Sequence, residues 1–264
     1  MPRARMTVAY DGSGFHGFAV NPGVRTVQGE LATALSTIAR QPVELTGAGR
    51  TDAGVHAWGQ VVSVDLPDHL DLTDVSRRLN KLLAPQIAVR DASWAADDFD
   101  ARFSATWRHY RYDVWNARAP NPLVAGRSWW VAQPLARWAM SAACDPLVGE
   151  HDFTSFCRRP KDTDESCSLV RRVLAASWSP VGDLDGGEEA SCHLRFEIRA
   201  NAFCHQMVRS IVGTLVDVGL GKLTPGDVRG IIVARDRAAA GQVAPPTGLT
   251  LWKVGYPIGA SPSG

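Results

Sequence analysis

Gly47-Ala48-Gly49-Arg50-Thr51-Asp52-Ala53-Gly54-Val55-His56-Ala57 is the most informative stretch of this chain. Three glycines within residues 47–54 remove side chains, so the backbone can turn sharply and approach a ligand closely. Val43 to Thr46 before it and Gln60 to Leu66 after it read as strands, which makes residues 47–58 a glycine-rich loop between strands. Such a loop can present Asp52 and Arg50 at the mouth of a cleft. An ordinary turn in which Asp52 caps a backbone amide fits the same residue types equally well. A phosphate-cradling loop fits poorly, because there is no Gly-Lys-Ser/Thr ending and the loop runs into a strand.

Working outward, Met6 to Tyr10 ends a short apolar strand and Asp11-Gly-Ser-Gly14 is a turn. Val27, Leu31, Leu35 and Ile38 recur every three or four residues between Thr26 and Arg40, which predicts an amphipathic helix stopped by Pro42. A second helix fits Leu72 to Leu83, ending before Pro85, and Ile87 to Ala95 alternates like a strand. The first half is therefore α+β. The second half begins near Trp107, where Tyr110, Tyr112 and Val114 alternate with polar residues. Leu135 to Leu147 reads as a helix covering part of a sheet. Val170 to Ser179 and Ser191 to Ala200 read as paired strands, with acidic residues 182–187 as their hairpin tip. Gln206 to Val218 is a strongly apolar helix that Gly219 closes as a C-cap, and the tail from Ala260 to Gly264 reads as frayed.

The 264 residues are 45% apolar and 21% charged, the composition of an ordinary globular protein. No apolar run approaches the roughly 20 residues that a membrane helix needs. The start, Met1-Pro-Arg-Ala-Arg5, has no apolar core after it and does not read as a signal peptide. Cysteines at 144, 157, 167, 192 and 204 include no Cys-x-x-Cys pair, which argues against a disulfide framework or a zinc site; idle thiols in a reducing cytoplasm are the simpler reading. The histidines show no metal-ligand spacing. A net charge of +1 is low for a nucleic-acid binder. An RNA reading must therefore rest on local clusters: Arg102, Arg108 and Arg111; Arg158, Arg159 and Lys161; and Arg171 with Arg172.

Gly49 to Ala57, followed by Gln60-Val-Val62, resembles the signature of the TruA family of pseudouridine synthases. The resemblance continues along nearly the whole chain. It takes in Tyr10-Asp-Gly12 with Gly17, Thr26-Val-Gln28, Phe99 to Ala105, Arg108-His-Tyr-Arg-Tyr112 and Gly149 to Phe156. It ends with Asn201 to Arg209, Gly213, Gly248-Leu-Thr-Leu251 and Tyr256. Many blocks in family order make a specific signal where any single block is weak.

The resemblance implies an α+β fold of two similar lobes, with antiparallel sheets joined across a central cleft and helices on the outer faces. Residues 1–105 would carry the catalytic aspartate loop and residues 106–264 would complete the active-site cleft. It implies isomerisation of uridine to pseudouridine in the tRNA anticodon stem-loop, at positions 38, 39 and 40, by a cytoplasmic homodimer that binds RNA across both subunits. No cofactor, metal or membrane is implied. Asp52 matches the catalytic aspartate, acting at the ribose C1′ or C2′. Arg209 matches its basic partner, and Tyr110 matches the tyrosine that stacks on the uracil. Tyr112 is read as structural. Arg50 resembles the loop arginine that contacts the target nucleotide. Thr51 and His56 fit either loop orientation or local hydrogen bonding. Arg102, Arg108, Arg111, Arg158 and Arg159 are suited to contact the RNA. Departures from the family are Phe18-Ala19 in place of Trp-Gln, Asp100 in place of histidine, and Cys204 in place of an aliphatic residue. The alternatives are a synthase acting on other tRNA or RNA uridines, a non-catalytic RNA-binding protein, and a glycoside-type hydrolase. The last lacks a second carboxylate in the loop.

Overall fold

Where Thr26 stands extended, its hydroxyl accepts the Gly29 N–H at 3.3 Å and starts helix α1, Val27–Ala39. Val27, Leu31, Leu35 and Ile38 are buried, as their spacing predicts, and left-handed Arg40 ends the helix. The computed structural model describes residues 1–159, 168–181 and 192–257. Lys161, Cys167, the acidic stretch 182–187 and the tail from Ala260 lie outside the described residues.

The chain forms two compact units, Met1–Trp107 with Thr250–Gly264, and Arg108–Leu249. In the first, β1 (Arg3–Tyr10) lies antiparallel to β3 (His56–Asp65) with Met6 opposite Val62. On its other side β1 pairs antiparallel with β4 (Ile87–Trp94). The short strand β2 (Leu45–Gly47) pairs with the far end of β3, Leu45 opposite Val64. Helix α2 (Leu72–Leu83) starts on Asp71, whose carboxylate accepts the Thr73 N–H. It buries Leu72, Val75 and Leu79, and the Asn80 side chain both donates to and accepts from the Val89 backbone, fixing the helix to β4.

β3 begins at His56, so the loop is shorter than residues 47–58. His56 to Trp58 are strand because Ala57 lies opposite Tyr10, and Thr250 and Leu251 of the last strand, β10 (Leu249–Gly255), run parallel to His56 and Ala57. Partners so distant in sequence leave no local signal.

In the second unit β5 (Trp107–Asn116), β9 (His193–Ala200), β8 (Val170–Pro180) and β7 (Gly149–Asp152) follow one another in an antiparallel sheet. The strand β6 (Trp129–Val131) lies parallel to β5, Val114 opposite Trp129. The connection over residues 117–128 is about the dozen residues that a parallel pairing requires. Within each unit, the strand pairings among the described residues are thus antiparallel but for one short parallel pairing.

Helix α3 covers only Arg137–Ala142, and a separate 3-10 turn spans Asp145–Leu147. Pro146, which lacks an N–H and disfavours a helical residue before it, breaks the single helix expected over 135–147. Helix α4 (Met207–Gly219) is buried at every residue except Arg209. Gly219 is its last residue rather than its left-handed stop. A Cβ there would lie 2.6 Å from the Met140 sulfur, so this glycine lets α3 approach, and the positive φ falls at Gly221. A further helix, α5 (Asp227–Ala234), completes the unit.

Candidate active site

Asp52 opens a tight turn in which the Val55 N–H donates to the Asp52 carbonyl at 3.1 Å, with Gly54 at φ +78°. Positive φ at the third turn position is what glycine accepts without strain. The turn is held from several sides. Ala48 N–H donates to the Val61 carbonyl at 2.8 Å, and the fully buried Gln60 donates from its amide to the Gly49 carbonyl at 2.8 Å. The hydroxyls of Tyr10 and Thr51 lie 2.8 Å apart in a buried hydrogen bond, and Phe18 N–H donates to the Thr51 carbonyl at 3.0 Å. The Phe18 ring stacks on Tyr10 and fills the space over Gly47, where a Cβ would come within 2.3 Å of it. Phe18 therefore props the loop from below.

His56 is buried, and its Nδ1 accepts the Gly12 N–H at 3.1 Å and lies 3.2 Å from the Asp11 carboxylate. It joins the turn at Asp11–Gly14 to the end of the loop. The outcome is a half-buried carboxylate, Asp52, on backbone held at Thr51 and by the Val55 hydrogen bond, with exposed Arg50 two residues before it. A pre-positioned carboxylate of this kind can stabilise or capture positive charge developing on a bound ligand.

In the second unit Arg209 is the one residue of α4 that reaches out of the core. Its Nε donates to the Ala244 carbonyl at 2.7 Å, and Ala244 N–H donates back to the Arg209 carbonyl at 3.1 Å. Gly213, one helical turn on, makes room for this segment: a Cβ there would lie 1.7 Å from the Gln242 carbonyl oxygen. Tyr112, with no exposure, donates its hydroxyl to the Pro245 carbonyl at 2.8 Å. Burial pushes its phenol pKa well up, against the pull of the nearby Arg209 cation. Tyr110 is nearly buried, and its ring meets Phe203 edge-on with centroids 5.0 Å apart.

A family model described as tRNA pseudouridine synthase matches residues 6–104 and 143–257. The chain belongs to that family. Three relatives named tRNA pseudouridine synthase A make the same point over whole chains. The Rhizobium meliloti protein is 41% identical over 97% of this chain and 100% of its own length. That of Bacillus licheniformis is 40% identical over 96% of this chain and 99% of its own, and that of Leifsonia xyli subsp. xyli is 42% identical over 98% and 93%. The α+β units described above are those of a pseudouridine synthase fold.

Of the residues that the family resemblance singles out, the first unit contains Asp52, Arg50 and Arg102, and the second contains Tyr110, Arg209, Arg108, Arg111, Arg158 and Arg159. The family-model match includes Asp52 and Arg209, while Tyr110, Arg108 and Arg111 fall between its two segments. Arg111 forms an ion pair with Glu197, and Arg108 donates to the Asn201 carbonyl at 3.0 Å. Arg102 is exposed, with its guanidinium 5.3 Å from the ring centre of exposed Phe103. Asp100, which stands where the family commonly has histidine, accepts the backbone N–H groups of Arg102 and Phe103 and so shapes that turn. Arg158 and Arg159 are exposed.

Sequence reasoning missed the supporting roles of Tyr10, Phe18 and Gln60 under the loop, and of Phe203 and Ala244 beside Tyr110 and Arg209. Tyr10 and Gln60 stand within the family-like blocks of the sequence, and that was the available signal. Among the described residues no three His, Cys, Asp or Glu side chains gather as metal ligands, and no helix is long and apolar enough to cross a membrane.

Proposed function

We propose that this chain converts uridine to pseudouridine in the anticodon stem-loop of tRNA, at positions 38, 39 and 40, with Asp52 as the essential group and no cofactor. What supports the reading most is membership of the tRNA pseudouridine synthase family through a match that includes Asp52 on its pinned turn.

The reaction breaks the N1–C1′ glycosidic bond, turns the uracil and joins C5 to C1′; C5 loses a proton and N1 gains one. Positive charge builds on the ribose as the bond breaks. The Asp52 carboxylate acts on that sugar, either by attack at C1′ or by taking the C2′ proton, and both roles require its ionised form. Arg209 serves as the cation that favours that form. Tyr110 stacks on the uracil once the base has left its helix, and unstacking of the target is the step that such a platform offsets. Arg50 and Arg102 in the first unit, and Arg108, Arg111, Arg158 and Arg159 in the second, contact the RNA backbone. Residues 1–105 supply the aspartate loop, and residues 106–264 supply the tyrosine and arginine.

The working protein is a cytoplasmic homodimer with RNA lying across both subunits. Doubling the arginine clusters along one RNA fits a chain whose own net charge is only +1.

The deciding experiment follows tritium release from tRNA labelled at uracil C5, comparing the purified chain with an Asp52→Asn variant. Release by the wild type alone, with the modified sites mapping to positions 38 to 40, is the expected result. Release from other positions would reassign the substrate to other uridines. Tight tRNA binding without release would make the chain an RNA-binding protein instead. Sedimentation equilibrium tests the dimer.

A further inference from the structure

Trp58 and Trp252 are neighbours across the short parallel pairing of β3 and β10, one step beyond Ala57 opposite Leu251. Their rings stack with centroids 5.8 Å apart and planes 20° off parallel. Gly59 permits the approach, because a Cβ there would run into the Trp252 carbonyl. From β4 the Arg90 guanidinium lies over the Trp58 ring, its carbon 3.7 Å from the ring centre, and its Nη1 donates to the Trp58 carbonyl at 2.9 Å. Arg90 is exposed, and Trp58 keeps 44% of its surface open to solvent. The first unit thus holds one indole at its surface, fixed by a second indole and by a cation.

A ring already immobilised in this way loses little further freedom when a ligand stacks on it. The chemistry that fits is a flat π-bearing group linked to negative charge, since bases stack on aromatic and guanidinium planes and phosphate meets the cation. A nucleotide of single-stranded RNA has both parts. An aliphatic partner would use the ring but desolvate the guanidinium without compensation. Trp58 is also close to the proposed chemistry. It follows Val55, whose N–H closes the Asp52 turn, by three residues, a span of at most about 11 Å. That is about three base steps of roughly 3.4 Å each.

We infer that Trp58, steadied by Trp252 and Arg90, is a stacking platform for an unpaired base of the tRNA a few nucleotides from the target uridine, with Arg90 facing the phosphate of that nucleotide. The inference rests on the proposed function and adds to it a contact away from the reacting ribose. Targets at positions 38, 39 and 40 place different bases at a fixed distance from Asp52. A stacking contact accepts all of them, because every base has a π-face.

The test measures affinity by fluorescence anisotropy for tRNA with a single target uridine and, in turn, one abasic site at each unpaired position near it. Full-length wild type, Trp58→Leu, Trp58→Phe and Arg90→Ala are compared. In the wild type one abasic site should weaken binding roughly 5- to 150-fold, the loss of one base–aromatic stack. Trp58→Leu should weaken intact tRNA by a similar factor, and that abasic site should then cost almost nothing more, because one contact is not lost twice. Trp58→Phe keeps a ring and should retain most of the affinity. Arg90→Ala alters an exposed side chain and applies the same cycle if Trp58→Leu does not fold; it should couple in part to the same abasic site. At saturating tRNA the rate of tritium release by Trp58→Leu should match the wild type.

Independent losses at every abasic position, or Trp58→Leu binding as tightly as wild type, would overturn the platform. So would protomers that separate in Trp58→Leu with each abasic loss intact, which would make this surface a contact between copies. Wild-type tritium release with uncoupled losses strikes the platform and leaves the proposed function standing. Coupled losses without release keep the platform and strike the function.

Discussion

Tyr10, the last residue of β1, and Thr51, the residue before Asp52, share a buried hydrogen bond of 2.8 Å between hydroxyl oxygens. It is a side-chain link from the strand scaffold to the residue next to the proposed catalytic carboxylate. Tyr10→Phe leaves the Thr51 hydroxyl without that partner in a site closed to water, which should cost about 1–2 kcal/mol in urea unfolding. Turnover of tRNA should drop roughly tenfold, the kinetic equivalent of about 1.4 kcal/mol, and far less than in Asp52→Asn. Thr51→Val should give a similar loss, and the double variant little more, because both changes remove one interaction. Additive losses would show that the two hydroxyls act separately.

Gly213 and the Gln242 carbonyl are a second pair for which geometry makes the prediction. An added methyl would sit 1.7 Å from that oxygen, a distance that backbone must move to relieve. Gly213→Ala should therefore push the segment around Gln242–Ala244 off α4 and weaken the Ala244 carbonyl as acceptor for Arg209. Overpacking of this sort costs about 1–3 kcal/mol. Thermal unfolding and tritium release should both fall. A fully stable variant with unchanged turnover would show that Arg209 does not need this anchor.

Much of this was legible because helices declare themselves locally. The α1 stripe of Val27, Leu31, Leu35 and Ile38 and the span of α2 follow from spacing over a few residues. What was hidden depends on partners distant in the chain. His56 to Trp58 join β3 because of Tyr10 and of Thr250 and Leu251, and β6 exists through its parallel register with β5. Gly219 looked like a helix stop, but its missing side chain serves Met140 across the helix pair. The candidate site divides in the same way. Asp52 and its glycines were visible as a motif, whereas the residues beneath the loop could be assigned only once Tyr10, Phe18 and Gln60 were seen to touch it.

Asp113 supplies a pH prediction for stability. Burial disfavours its charge, yet the His193 ring, 3.8 Å from the carboxylate, and the hydrogen bonds from Arg195 outweigh that and hold its pKa below the ordinary value. The Arg195 fork closes on the carboxylate at distances of 2.7 and 2.9 Å. A depressed folded-state pKa contributes stability that is present above the unfolded value of about 3.9 and lost as pH falls through the folded value. Asp113→Ala should cost about 3 kcal/mol at neutral pH, because it strands a partly buried arginine. The gap between variant and wild type should stay constant from neutrality down to about pH 5 and close at lower pH. Urea unfolding across that range measures it; a gap that widens in acid would contradict the assignment.

Arg158 and Arg159 are exposed, and they test whether RNA contact can be separated from chemistry. If each meets a phosphate, replacing both by alanine should weaken tRNA binding most at low salt, where counterion release contributes most. The slope of log affinity against log salt should shrink by about 0.7–0.9 for each phosphate that is no longer neutralised. At saturating tRNA the turnover rate should hardly change, because neither residue is proposed to touch the reacting ribose. Fluorescence anisotropy at several salt concentrations gives the slope, and tritium release gives the rate. An unchanged slope would confine both arginines to the solvent, while a large fall in saturated turnover would place them nearer the chemistry than proposed.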